Sequence, residues 1–339
     1  MKSGIVIAGS IIADIVKTIE RFPEIGTLAY VVDVSPSVGG CVPNVAIDLA
    51  KIDSSIPIGA AGKVGVDENG KYIRSQLTKY GVNVEGIRDS RSKETGFCDV
   101  MSVPAGERTF FHGKGANADF SPEDMDLDAL DCKILHIGYL LLLDRFDAED
   151  EEYGTVMARF LHDVQKKGIK TSIDVISDSS GEFGKIIIPA LKYCNYVIIN
   201  ELECCKIWEL DAYTKEGELH RDNIKLAMTR MVAAGVSEKV IIHSKRESFL
   251  LDAVSGTFTE VRSLNIPTHE IKGSVGAGDA FCAGCLYGLY HSYSDRQLME
   301  FATGAAACSL SAVNAVDGMK SEQEIWRLLE RHKRQSTDR

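Results

Sequence analysis

Asp279 stands where a carboxylate can do chemistry. It closes Gly276-Ala277-Gly278-Asp279 and opens Ala280–Tyr290, a run apolar on most faces that marks a buried helix. A helix N-terminus offers unpaired N–H groups and the positive end of the helix dipole. Glycines leave room for an anion to approach the backbone, so a phosphate fits here. A carboxylate beside a phosphate makes sense as the base that takes a proton from an attacking hydroxyl. A simple helix cap explains the same residue, although a neutral Ser or Asn would cap equally well.

Three further stretches carry polar groups at telling places. Gly39-Gly40 leads into a second helical run, with Asn44 in its first turn or two. Paired glycines let backbone approach a small ligand, and an Asn amide both donates and accepts, which suits a sugar hydroxyl. A plain turn and cap has the same spelling. Asp14 follows the first strand, and ligands of open parallel sheets gather at the carboxyl ends of strands. There it could accept hydrogen bonds from two hydroxyls of a polyol, or be an ordinary solvated loop residue. Asn200 and Glu203 follow the strand-like YVII and share one face of a helical turn. Their oxygens could order Mg2+ and its waters.

Familiar nucleotide and metal motifs fail. Gly65 to Lys71 fits GxxxxGK, but Tyr72 replaces the Ser or Thr that would hold Mg2+, and Asp67 and Glu68 would face the phosphates. This run reads as an ordinary loop into a helix. After the first strand, VIAGSII has the wrong spacing for a dinucleotide fingerprint, which argues against a dehydrogenase. Cys282-Ala-Gly-Cys285 lacks a second pair or histidines at ligand spacing. Those cysteines and Cys204-Cys205 read as small residues of the core.

The hydrophobic pattern supplies the scaffold for these residues. Strands are expected at Gly4–Gly9, Ser55–Ala60, Ile134–Ile137, Lys170–Val175, Tyr196–Ile199 and Lys239–His243. Helices are expected at Cys41–Ile52, Asn69–Tyr80, Tyr153–Lys167, Asp222–Ala234, Gly278–Tyr290, Asp295–Ala312 and Ser321–Arg331. Such alternation predicts an α/β fold with a mainly parallel sheet flanked by helices. Leu28–Val34 and Gly96–Phe111 instead alternate apolar and polar residues with no helix between strands. They predict a small separate sheet of antiparallel strands, with a hairpin turn at Gly106. The charged tail Arg331–Arg339 is expected to fray.

Composition narrows the function. The chain has 339 residues and a net charge of −11. That charge argues against a sequence-independent nucleic-acid binder, which needs a basic footprint. No apolar run is long enough to span a bilayer, and Asp14 interrupts the N-terminal stretch, which reads as a strand and not a signal peptide. Nine cysteines, an odd number at irregular spacing, point to reduced thiols and a cytoplasmic protein.

Taken together, these stretches resemble the ribokinase-like, or PfkB, family of carbohydrate kinases. VGGCVPNVAIDLA resembles the family's N-terminal signature, GSVGAGDAFCAG its C-terminal one, and NELE its NxxE motif. GKVGVDENGKYIRSQLTKYGV and ERTFFHGKGANADFSPED also read like family segments, so the resemblance covers nearly the whole chain in order. It implies one Rossmann-like domain over 1–339. It also implies a small β lid, from about 15–37 and 95–115, that covers a sugar and is often shared in a homodimer. The implied reaction passes the γ-phosphate of ATP to an alcohol. Asp279 matches the catalytic base, and the amides of Gly276, Ala277 and Gly278 match the anion hole. Asp14, Gly39, Gly40 and Asn44 match sugar-contacting positions. Asn200 and Glu203 match the Mg2+–phosphate network, with Glu203 reaching the ion through water. Ser244, Lys245, Ser274 and Asn314 are candidates for the nucleotide site.

The chain departs from the family in two places. Gly273-Ser274 replaces an Asp-Thr pair whose carboxylate often helps bind a monovalent cation, which puts potassium activation in question. The strand around Ile241 runs into HSKRESFLL without the usual glycine turn. Arg108 and Lys114 are lid cations that a phosphosugar would need, but no Lys/Arg cluster adjoins Asp14 or Asn44. A free sugar or sugar acid is therefore the first expectation. A nucleoside stacked on Phe97, Phe110 or Phe111 is the second. A sugar binder that has lost catalysis is the third, against which the retained Asp279 and NxxE pair weigh.

Overall fold

The structure, a computed structural model, describes residues 2–103, 108–177 and 183–335. The strands that concern the site are, in chain order, β1 (Ile5–Gly9), β2 (Ile12–Ile19), β3 (Val31–Gly39), β4 (Ile58–Gly65), β5 (Asn83–Ser90), β6 (Gly96–Ser102) and β7 (Arg108–Gly113). They continue as β8 (Ile134–Leu140), β9 (Lys170–Val175), β10 (Tyr196–Asn200), β11 (Lys239–His243), β12 (Glu247–Asp252) and β13 (Phe258–Arg262). The main helices are α1 (Cys41–Ile52), α2 (Glu68–Lys79), α3 (Val156–Lys166), α4 (Phe183–Leu191), α5 (Glu201–Lys206), α6 (Arg221–Ala234), α7 (Ala277–Tyr290), α8 (Asp295–Ser309) and α9 (Glu322–Arg331).

A nine-stranded sheet of order β13-β12-β11-β10-β9-β8-β1-β4-β5 forms the body. Its strands from β11 to β5 are parallel, and β12 and β13 close one edge as an antiparallel hairpin. Alternation along a strand sends side chains to both faces. In β10, Tyr196 and Ile198 pack with α1, α7 and α8, while Val197 and Ile199 pack with α3, α4 and α6. The strands are buried on both sides because helices cover both, as a parallel sheet requires.

Most expected elements appear with ends shifted by a few residues, and α1 matches its expected range. Sequence reasoning missed β5, whose NVEGIRDS spelling is mostly polar because it forms the sheet edge. It also missed β12 and β13; the turn from β11 into β12 is held by the Ser244 hydroxyl donating to the Glu247 carbonyl at 2.7 Å. The tail does not fray at once. Leu264 and Arg334 form an antiparallel bridge, and residues 336–339 lie outside those described.

The second sheet has order β3-β2-β6-β7. The β2/β3 and β6/β7 pairs are antiparallel hairpins, but β2 and β6 pair in parallel, so the expected all-antiparallel sheet is corrected. The reason lies in β2, which sequence reading did not separate from the first strand, where the chain leaves β1 through Ser10 and Ile11 directly into the second sheet. The expected turn glycine, Gly106, lies outside the described residues. Among the described residues no helix is long and apolar enough to cross a membrane.

Candidate active site

The N-terminus of α7 meets the N-terminus of α1 at the carboxyl ends of the central strands. Gly276 caps α7 in the left-handed region at φ 76°, where a Cβ would come within 2.5 Å of Ala315. Asp279 sits in the first turn and is buried. One oxygen accepts from the Asn44 amide at 2.9 Å, and the other accepts from the Tyr139 hydroxyl. Burial raises the carboxyl to about 6, and the two hydrogen bonds hold it from rising further.

Gly40 caps α1 at φ 84°, and a Cβ there would strike the Ser10 carbonyl at 2.7 Å. Its neighbour Gly39 lies under the Asp14 carboxylate, where a Cβ would meet Oδ2 at 2.4 Å. The paired glycines thus let a lid carboxylate rest against the mouth of α1. Burial, and then the charge of Asp279, raise Asp14 to about 7. Two acceptors near this mouth, Asn44 Oδ1 and Ser10 Oγ, are buried without a hydrogen-bond partner. Unpaired buried polar atoms are costly unless a ligand or water meets them. A polyol hydroxyl suits both.

Lid register sorts the remaining candidates. Ser37, Asp14, Cys98 and His112 stand opposite one another across the four strands and so share a face. Phe110 shares that face, being two residues from His112, whereas Phe97 and Phe111 point the other way. Arg108 opens β7 four residues from the Asp14 row, and its side chain lies outside the described residues. Lys114 is engaged elsewhere, by the Asp144 carboxylate at 2.6 Å and the Leu141 carbonyl at 3.2 Å.

A cavity of about 470 Å³ opens on the other side of the α7 N-terminus. Ser244, Lys245, Ser274, Ala277 and Gly278 line it, as does His243, which sequence reasoning missed. His243 lies against Phe281, and burial lowers its ring to about 4. Asn314 is not among the lining residues. Its amide donates to the Asp317 carboxylate, and its carbonyl accepts from the Asp317 N–H, so it closes its own turn.

Asn200 and Glu203 first serve α5 as a reciprocal cap, each side chain accepting from the other's backbone N–H. Ser177 donates to Glu203 at 2.7 Å, and burial raises Glu203 to about 7. Asp174, absent from the sequence reading, lies behind them. It is buried and pushed well above the ordinary carboxyl range by that burial and by the charges of Glu203 and Asp279. Among the described residues, the charges that act most on Asp174 and Glu203 come from other acids and not from basic side chains. Buried carboxyls without a countercharge fit a divalent cation bound by oxygen ligands. His136, Asp174 and Cys282 also converge, with donor atoms within 4.8 Å. Their strands and helix are far apart in sequence, so spacing along the chain could not reveal them.

Gly65 to Lys71 is no phosphate loop. Asp67 caps α2 by accepting from the Gly70 N–H at 2.8 Å and also binds Thr95.

Comparison with known proteins bears on the family and the fold. Residues 2–322 match the model of the pfkB family carbohydrate kinases. Ribokinase of Arabidopsis thaliana is 26% identical over 327 residues, which span 96% of this chain and 80% of that protein. A 5-dehydro-2-deoxygluconokinase of Listeria innocua is 22% identical over 87% of each chain. The solved structure of Arabidopsis thaliana ribokinase with ribose and ATP superposes with a TM-score of 0.78 at 24% identity, covering 97% of this chain and 99% of that one.

Proposed function

The chain belongs to the pfkB family of carbohydrate kinases, and from that premise we propose that it transfers the γ-phosphate of ATP to a hydroxyl of an unphosphorylated sugar or sugar acid. One observation carries the reading. The first turn of α7 separates two compartments, with the lid-side Asp14, Asn44 and Ser10 on one side and a nucleotide-sized cavity on the other.

Asp14 and the free acceptors Asn44 Oδ1 and Ser10 Oγ hold the sugar's hydroxyls. Asp279 takes the proton of the attacking hydroxyl. The new bond joins that oxygen to the γ-phosphorus, the bond to the β–γ bridging oxygen breaks, and ADP leaves. The amides of Gly276 and Gly278 offset the charge of the transferring group, joined by Ala277 once its N–H leaves the Ser274 carbonyl at 3.4 Å. Positioning and charge stabilisation do most of the work in such a transfer. Glu203 and Asp174 are the residues that would hold Mg2+, Glu203 through water. When bound, that ion neutralises the phosphates. Ser244, Lys245 and Ser274 bound the nucleotide.

The lid supports a free sugar over a nucleoside. Among its three phenylalanines only Phe110 shares the Asp14 face, so a base would lack an aromatic pair. Lys114 is tied to Asp144 and does not serve a substrate phosphate. The outer lid exposes Val32, Val34 and Phe111, which supports a homodimer closed through this sheet.

The test is ADP release from ATP·Mg2+ across free sugars, sugar acids, sugar phosphates and nucleosides, with and without potassium. Turnover with a free sugar or sugar acid is expected. Turnover confined to nucleosides or to sugar phosphates would overturn the substrate class. Silence with sugar binding intact would overturn the activity.

A further inference from the structure

Lys333 to Gln335, the last described residues, run beside the cavity at the α7 N-terminus. After α9 the chain turns back along the outer edge of the main sheet. The Asn265 N–H donates to the Lys333 carbonyl at 2.8 Å, and the Gln335 N–H donates to the Ser263 carbonyl at 2.9 Å. Leu264 and Arg334 form the bridge between them, and the Arg334 guanidinium donates to the Arg262 carbonyl at 2.9 Å. The tail thus adds a short antiparallel strand just beyond β13. Glu270 pins its base by pairing with Arg331 at 3.4 Å, and the His332 ring lies 3.7 Å from the same carboxylate.

This pairing fixes a wall of the cavity. Ser263, Leu264 and Asn265 line it from one strand, and Gln335 lines it from the tail. The same cavity reaches the α7 N-terminus through Ala277 and Gly278. A nucleotide whose phosphates rest at that terminus places its base at a distance from it, among apolar side chains such as Ile266, Ile271 and Leu310. No side-chain hydrogen bond engages the Gln335 or Asn265 amide among the described residues. An amide pairs donor and acceptor, which matches the edge of a purine.

We propose that Lys333–Gln335 belongs to the nucleotide site, as a strand that clamps Ser263–Asn265 and presents the Gln335 amide to the base. The assignment rests on the kinase reading for the identity of the ligand, and on the strand pairing for its geometry.

Three forms of the protein test it: the unaltered chain, Gln335→Ala, and a chain ending at His332. Direct binding of ATP without sugar is measured by calorimetry, beside the KM for ATP and for sugar. Loss of one neutral hydrogen bond should weaken ATP binding about threefold to tenfold in Gln335→Ala. Removal of the strand should weaken it about tenfold or more, while the sugar KM and the melting temperature of Gln335→Ala stay put. A narrower preference for ATP over GTP in Gln335→Ala is also expected. Equal ATP affinity in Gln335→Ala and the unaltered chain would overturn the role of the amide. Equal affinity in the truncated chain would overturn the clamp. Intact ATP binding without phosphorylation of any acceptor would sink the kinase reading alone and leave this test standing. Failure of the unaltered chain to bind ATP would overturn both.

Discussion

The floor of the site and its lid are built in opposite ways. Cys41 to Leu49 on α1 is buried throughout, as is most of α7 from Asp279 to Gly288. Val31 to Pro36 on β3, by contrast, is exposed at every position. The floor holds Asp279 with two donors from separate elements, Asn44 and Tyr139. The lid reaches the floor through Asp14, seated on Gly39. The proposed function puts the chemistry on the floor, where geometry is over-determined by packing. On the proposed function, recognition falls to the lid, whose outer strand carries little packing.

Breaking the floor should cost the most. Asp279→Asn should lower kcat by about 10²- to 10⁴-fold, the range for a lost general base, with sugar binding by calorimetry retained. Breaking the lid contact should cost binding. Asp14→Asn should raise the sugar Kd about 10- to 100-fold, as for lost hydrogen bonds to a charged group, with kcat at saturation little changed.

Tyr139→Phe sharpens the comparison from within the floor. With Asp279 as the proposed base, activity requires its ionised form and should fall as pH drops through about 6. The Tyr139 hydroxyl favours the ionised form, so its loss should move the acid limb of the kcat/KM profile to higher pH. An unmoved limb would remove Asp279 as the titrating group.

The smallest effect concerns stability. Asp14 titrates at about 7 in the folded chain, against about 3.9 for a free Asp. The folded state therefore holds the proton over that window, and stability declines as pH rises from about 4 to about 7. Asp14→Asn should raise the melting temperature at pH 8 by roughly 2–4 °C, with the gain absent near pH 4. A gain that persists at pH 4 would point to packing and not to charge.

Much of the floor was legible in the chain because its signals are local. Glycines before an apolar helix, and an Asp or Asn within the first turn, are set by backbone conformation and capping. Asp279, Gly40 and Asn44 stand where those signals put them. The lid was half legible. Alternation revealed β6 and β7, but β2 follows β1 without a turn residue strong enough to mark the change of sheet. Tyr139, Asp174 and His243 were invisible, because each joins the site through strand order and not through spacing. Asn314, a candidate for the nucleotide site, does not line the cavity. Its short side chain satisfies its own turn, a competition common to Asn in loops. The polar β5 shows the same limit of pattern reading, since an edge strand need not be apolar on either face.

The most direct test of the division between floor and lid is a single-turnover comparison of Asp279→Asn and Asp14→Asn at saturating sugar and ATP·Mg2+. Once both sites are filled, the rate of phosphoryl transfer should be near that of the unaltered protein for Asp14→Asn and lower by orders of magnitude for Asp279→Asn. Equal slowing of both would contradict the account and make the lid carboxylate part of the chemistry.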